Sequence, residues 1–305
     1  MAGKLISIII PCHNEEKNIS PIVSEIKKII PKQYKFEIIL VDDGSIDHTR
    51  REIFKIGRRN KNIRGIIFYK NFGQQAALMA GLRLSRGNVV IMMDADFQHP
   101  PKYIPQIIKL WEKGYDMVQM QKDSISKTKT RNIGYKLWEW ISAGTIIPGA
   151  SDFRLVDKQI VDYIKNAEEN ETFLRGLVKQ AAVNPILVPY KVVKRRYGKS
   201  SYTFKMFVDI FINGFISFST FPLRVAWLVG ILITTVTGTA LVIDIIDAIF
   251  RHERIVRGYT TLIFLTLILN GFVILYIGIL GEYLGVIFRE IKRRPKYLIR
   301  EKINI

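Results

Sequence analysis

Asp94 and Asp96 stand one residue apart at the end of a short apolar run, VVIMMDADFQHP. In extended chain, residues i and i+2 point to the same side. The pair would offer two hard carboxylate oxygens to Mg2+ or Mn2+, cations that take such ligands and share their remaining positions with phosphate oxygens. A cation held there would neutralise a diphosphate leaving group. Two other apolar runs end in a similar way, one in Pro11-Cys12-His13-Asn14-Glu15 and one in Val41-Asp42-Asp43-Gly44-Ser45. Alone, an Asp-x-Asp reads as a loop cap and an Asp-Gly-Ser as a turn. Three acidic strand ends in order are far more specific, because their repulsion calls for a cation or a donor-rich ligand.

The elements that must position these residues alternate. Residues 5–10, 36–41, 63–69 and 88–93 are short, rich in Ile and Val, and nearly continuous in apolar character, as strands buried on both faces are. Helices are expected between them: residues 21–30, with Ser20-Pro21 as cap and first turn; a helix capped by Asp47 and running to about Arg59; and residues 74–85. Such alternation predicts an α/β fold with a Rossmann-like, mainly parallel sheet. Ligands of such sheets bind beyond the carboxyl ends of the strands, where the three acidic motifs fall.

Composition narrows the partners. The 305 residues hold 46 Lys and Arg against 27 Asp and Glu, a formal net charge of +19. An excess of that size serves nucleic acid, anionic lipid or phosphorylated substrates. The single cysteine, Cys12, excludes an internal disulfide, fits a reducing compartment and is expected to be buried.

Two runs without a charge, residues 225–243 and 259–281, have 19 and 23 residues. Each matches the hydrocarbon thickness of a bilayer. They are read as a transmembrane hairpin within residues 223–288, preceded by an interfacial amphipathic helix at 203–222. The basic tail, 289–305, belongs in the cytoplasm by the positive-inside rule, and a hairpin then places the domain of residues 1–202 there too. This organisation argues against a nucleic-acid-binding protein as the source of the charge.

Taken together, Ile8-Ile9-Ile10-Pro11 with Asn14-Glu15, then VDDGSIDHT, NFGQQAALMAGL and MDADFQHPP, resemble family 2 glycosyltransferases of the GT-A fold. Ser151-Asp152-Phe153-Arg154-Leu155, Phe173-Leu174-Arg175-Gly176-Leu177 and Arg195-Arg196-Tyr197-Gly198-Lys199-Ser200 are similar to the polyprenyl-phosphate branch of that family. The resemblance covers nearly the whole chain. It implies that a nucleotide-sugar donor is bound by Pro11, His13, Glu15, Asp43 and Asp94, and that Mg2+ or Mn2+ is held by Asp94, Asp96 and Gln98. It makes Asp96 and Asp152 catalytic, with Asp152 the usual candidate base, and turns Arg154 and Arg195 towards the phosphate of a polyprenyl-phosphate acceptor. Lys122 and Ser200 are expected to join them, while Arg175 is either at that phosphate or structural, and His99 is expected as an exposed loop residue. A homo-oligomer is the expectation from bacterial relatives.

Two departures touch phosphate binding. Gln121-Lys122 stands where the family often has an arginine, so a point charge replaces a bidentate fork. The usual Gly-x-Ser-Lys reads Gly198-Lys199-Ser200-Ser201. A processive polysaccharide synthase is the alternative, but such enzymes carry Gln-x-x-Arg-Trp, and no tryptophan here sits in that pattern. A catalytically inactive scaffold would be expected to lose the acidic pair.

Overall fold

The structure is a computed structural model that describes residues 3–123, 150–167, 174–193, 221–251, 259–292 and 295–305. The chain divides into two compact units, one of residues 1–207 with 293–305 and one of residues 208–292.

In the first unit, strand β1 (Leu5–Cys12), helix α1 (Glu16–Ile29), β2 (Lys35–Asp42), α2 (Thr49–Arg59), β3 (Ile63–Phe68), α3 (Gln74–Leu84) and β4 (Val89–Met92) alternate as the apolar runs predict. Beyond them come α4 (Ile104–Glu112), β5 (Met117–Lys122), β6 (Ala150–Asp157), α5 (Lys158–Asn166), α6 (Leu174–Ala181), β7 (Pro185–Tyr190) and a last strand, β8 (Ile299–Ile303). They form an eight-stranded sheet in the order β7-β5-β6-β4-β1-β2-β3-β8. Pairing is parallel except where β6 lies between β4 and β5 and where β8 adds to β3.

Successive residues of a strand face opposite sides, and the core follows that rule. Ile6, Ile8 and Ile10 of β1 join Ile22 and Ile26 of α1 and Ile107 of α4 on one face. Ile9 joins Ala77 and Ala80 of α3 and Ile164 of α5 on the other. Cys12 is buried in the first of these layers, where burial, and then Asp42 and Glu15, push its thiol well above the ordinary range.

One helix start differs from expectation. Helix α1 begins at Glu16, so Pro21 lies inside it and not in its first turn. Tertiary groups cap the earlier start: Glu15 donates its N–H to Thr49 Oγ1 (2.8 Å), and Glu16 donates to Asp47 Oδ2 (3.2 Å). Asp47 also accepts from Thr49 N (2.9 Å) at the start of α2, one residue before the helix's N-cap, His48. Of the basic stretch 289–305, five residues form β8. Ile303 is buried there, Arg50 pairs with Glu301, and Tyr297 stacks on Phe68 with ring centroids 4.9 Å apart.

The second unit contains α7 (Phe221–Arg251) and α8 (Tyr259–Ile291). The expected span 225–243 lies in α7, and 259–281 lies in α8. Among the described residues, Ile268–Phe288 is long and apolar enough to cross a membrane, with 21 residues, mean hydropathy 2.0 and none of its length buried. Thr235, Thr239 and Thr266 turn their hydroxyls back to the carbonyls four residues earlier, at 2.7–2.8 Å. Their polar atoms are thereby satisfied within the helix. Most of the interfacial helix expected at 203–222 lies outside the described residues.

Candidate active site

The carboxyl ends of β1, β2 and β3 are tied into one edge. Asp43 is buried, and its two oxygens accept the N–H groups of Phe72 (2.7 Å) and Gly73 (2.9 Å) from the loop after β3. Burial pushes its carboxyl up despite these bonds. His13 Nδ1 lies 2.8 Å from the Asp43 carbonyl, and Asn71 Nδ2 lies 3.3 Å from the same ring. Asn14 adopts a left-handed φ of 58° and is held by Ser45 Oγ on its N–H (2.9 Å) and Ile46 N–H on its Oδ1 (3.0 Å). Gly44, at φ +63°, has no room for a side chain, since a Cβ would sit 2.2 Å from the Lys70 carbonyl carbon. Of the residues expected around the nucleotide, His13 and Asp43 are bonded to one another in this rim. Pro11 pairs with Val41 where β1 and β2 end, and Glu15 follows at the start of α1, its N–H on Thr49 Oγ1. The Asp43 carboxylate spends its oxygens on shaping the rim.

The acidic turn follows β4. Asp94 Oδ1 accepts from Gln74 Nε2 (2.8 Å), and Asp96 is buried with Oδ1 accepting the Gln98 N–H (3.0 Å). Burial, and then the charges of Asp152 and Asp96, push the Asp94 carboxyl up to about 7. A carboxylate so crowded by like charge is a favourable seat for a cation. Among the described residues, no group of three or more His, Cys, Asp or Glu side chains is arranged as a complete metal cage. Two carboxylates without a cage fit Mg2+ or Mn2+, which completes its coordination with water and substrate phosphate.

Because β6 runs against β4, its first residues reach the same edge. Met92 pairs with Arg154 in the register, which places Asp152 beside the residues that follow β4. Asp152 and Arg154 lie two apart and share a face. Asp152 is 5% exposed and accepts from Arg154 Nη2 (2.9 Å) and, at both oxygens, from Arg175 of α6 (2.9 Å each). Burial alone would raise its carboxyl, but Arg175 and then Arg154 hold it well below the usual range. Arg154, expected to face the acceptor phosphate, is 1% exposed and turned inward onto Asp152 and the Ser151 carbonyl. The Arg175 side chain, 35% exposed, stands nearer solvent. Lys122, at the end of β5, is close enough to lower Asp94 electrostatically.

His99 departs from the sequence reading. It is 2% exposed, not a surface loop residue, and Nδ1 accepts the Asp94 N–H at 2.9 Å. Its ring stacks on Phe153 (5.3 Å, 19°) and meets the edge of Tyr190 (6.0 Å, 72°). The nearby aromatic residues come from β6 and β7, so local sequence gave no signal for its burial. Arg195 and Ser200, the other residues expected at the acceptor phosphate, lie outside the described residues.

Residues 7–164 match the family described as Glycosyl transferase family 2. A putative glycosyltransferase of Bacillus subtilis strain 168, CsbB, is 35% identical, over 99% of this chain and 93% of its own. The bactoprenol glucosyl transferase of Shigella phage SfII is 34% identical, over 97% of each chain. Among solved structures, glucosyl-3-phosphoglycerate synthase from Mycobacterium tuberculosis, in complex with Mn2+, UDP-glucose and phosphoglyceric acid, covers 70% of this chain and 79% of its own. At 17% identity and a TM-score of 0.49, that likeness is too remote to bear on ligands.

Proposed function

The chain belongs to glycosyl transferase family 2, and from that premise we propose that it moves one sugar, with inversion, from a nucleotide-sugar to a polyprenyl phosphate. UDP-glucose or a close analogue is the proposed donor. The observation that carries the reading is the meeting, at one sheet edge, of the β4 acidic turn with the Asp152–Arg154–Arg175 cluster delivered by β6 and α6. Transfer between two phosphate-bearing reactants needs both kinds of charge in one place. The bactoprenol glucosyl transferases named above support a lipid acceptor.

Asp94 and Asp96 would hold Mg2+ or Mn2+, with Gln98 beside them. When bound, the cation supplies charge neutralisation for the departing diphosphate. Pro11, His13, Glu15 and Asp43 form the rim that receives the nucleotide. The acceptor is a phosphate monoester, largely dianionic at neutral pH with a second pKa of about 6. Its oxygen is already a nucleophile and needs a cationic seat more than a base. Arg175 and Lys122 provide that seat, with Arg195 and Ser200 as further donors; forked arginine bonds suit phosphate well. In this account Asp152 orients the arginines and takes no proton, and Arg154 supports it from beneath. Catalysis then rests on positioning and electrostatics.

A lipid substrate calls for a membrane, and the long apolar stretch of α8 supports an anchor. The chain leaves the sheet after β7 and re-enters it at β8. Any crossing between them would then be matched by a return, which supports a two-span hairpin, while the basic residues of 289–302 support a cytoplasmic side by the positive-inside rule. The test is product analysis. Mass spectrometry should find one hexose per polyprenyl phosphate, and NMR the anomeric configuration opposite to the donor's; a polymer, or retention, would refute the reading.

A further inference from the structure

The acidic turn runs through a strained residue: Phe97 has φ 66°, a left-handed conformation that costs an L-residue with a side chain on the order of 1 kcal/mol. Such a turn persists only where its surroundings hold it. Two bonds close it, Gln98 N to Asp96 Oδ1 (3.0 Å) and Asp94 N to His99 Nδ1 (2.9 Å). The second differs from an ordinary turn bond in what lies behind it. The His99 ring is stacked on Phe153, the residue between Asp152 and Arg154, and Phe153 in turn meets Tyr190 edge-on at 5.9 Å. The imidazole therefore joins the turn that presents Asp94 and Asp96 to the strand that presents Asp152.

We propose that His99 is a positioning residue, whose Nδ1 fixes the Asp94 backbone and so sets the spacing of the two carboxylates that receive the divalent cation. The assignment rests on the metal reading above. His99 is not itself a ligand in it, because Nδ1 is occupied by the Asp94 N–H and the ring is enclosed by aromatic neighbours. Neutral imidazole with its proton on Nε2 is the form this bond requires.

The experiment separates the acceptor from the ring. His99→Phe keeps a stacking ring and loses the acceptor; His99→Asn loses the ring and keeps a short acceptor, Oδ1, near the place of Nδ1. Mn2+ binding to the full-length protein in detergent with UDP is followed by loss of the free-ion EPR signal, alongside thermal unfolding. The expected result is Mn2+ affinity about tenfold to a hundredfold weaker in His99→Phe, the scale seen when a partner behind a metal ligand is removed. His99→Asn should stay within about threefold of the unaltered protein on the same scale. Equal Mn2+ affinity in His99→Phe and the unaltered protein overturns the positioning role and leaves the metal reading standing. Absence of Mn2+ binding by the unaltered protein overturns both. Should His99→Phe not fold, His99→Ala against His99→Asn makes the same comparison, and equal affinities again overturn the role.

Discussion

Arg175 grips Asp152 at both carboxylate oxygens, Nε to Oδ1 and Nη2 to Oδ2, each at 2.9 Å. The pair joins α6 to the first residues of β6 and leaves the arginine partly at the surface. A carboxylate so held is anchored as an anion. Arg175 and Arg154 hold its folded pKa well below the ordinary carboxylate range, so its contribution to stability is complete above that range and is lost progressively as pH falls from there through the folded value. At neutral pH it has little tendency to accept a proton, which is why an orienting role fits it better than that of a base.

Replacing Arg175 with glutamine should therefore harm turnover without harming donor binding. We expect kcat to fall by about a hundredfold, the scale of a small misplacement at a reacting centre, with the KM for the lipid raised and UDP affinity unchanged. Arg175→Lys restores charge without the fork and should recover only part of the loss. Steady-state kinetics with UDP binding by calorimetry checks this; equal losses in both substrates would place Arg175 in the general structure.

A second buried ion pair lies far from these motifs in the sheet. Arg64 Nη1 donates to Glu37 Oε2 (2.8 Å) and to the Leu84 carbonyl (2.6 Å), while Glu37 Oε1 accepts from Ser7 Oγ (2.5 Å) and Arg86 N (2.8 Å). These residues sit near the starts of β1, β2 and β3, at the end away from the acidic edge. Arg64→Met would leave a buried carboxylate without its cation, a change worth about 3–5 kcal/mol. Urea denaturation should show the loss, and the surviving folded protein should keep its kcat.

The last strand offers a third test. Ile303 is buried against Gly57 and Gly65, where an added Cβ would come within 2.7 Å of it, and Asn304 Nδ2 donates to the carbonyls of Gly57 and Ile63 at 2.8 Å. Ile303→Ala should cost about 2–4 kcal/mol, read as a lower unfolding midpoint. An unchanged midpoint would mean that β8 contributes little to holding the sheet edge.

Much of the fold was legible because β1 to β4 are buried on both faces and read as nearly continuous apolar runs, broken only by polar residues such as Glu37 and Arg64 near their starts. The acidic ends of those strands were legible for the same reason. β8 was hidden: Ile299–Ile303 reads IREKI, a charged stretch whose partner β3 lies more than two hundred residues earlier, and nothing local signals such a pairing. Pro21 misled because proline favours a first turn, whereas caps from Thr49 and Asp47 start α1 earlier. His99 was misread for a physical reason: a polar loop residue was expected at the surface, and it is buried against Phe153 and Tyr190, aromatic partners that only the sheet pairing of β6 and β7 brings near.

The most direct test of the central claim is transfer of labelled sugar from UDP-glucose, within a panel of nucleotide-sugars, to polyprenyl phosphate in detergent. It is run with and without Mn2+ or Mg2+, on the unaltered protein and on Asp96→Ala. The account predicts a metal-dependent lipid carrying one sugar, and loss of that product in Asp96→Ala while the variant stays folded and membrane-bound. Release of long polymer, silence with every donor, or substantial turnover by Asp96→Ala would contradict it.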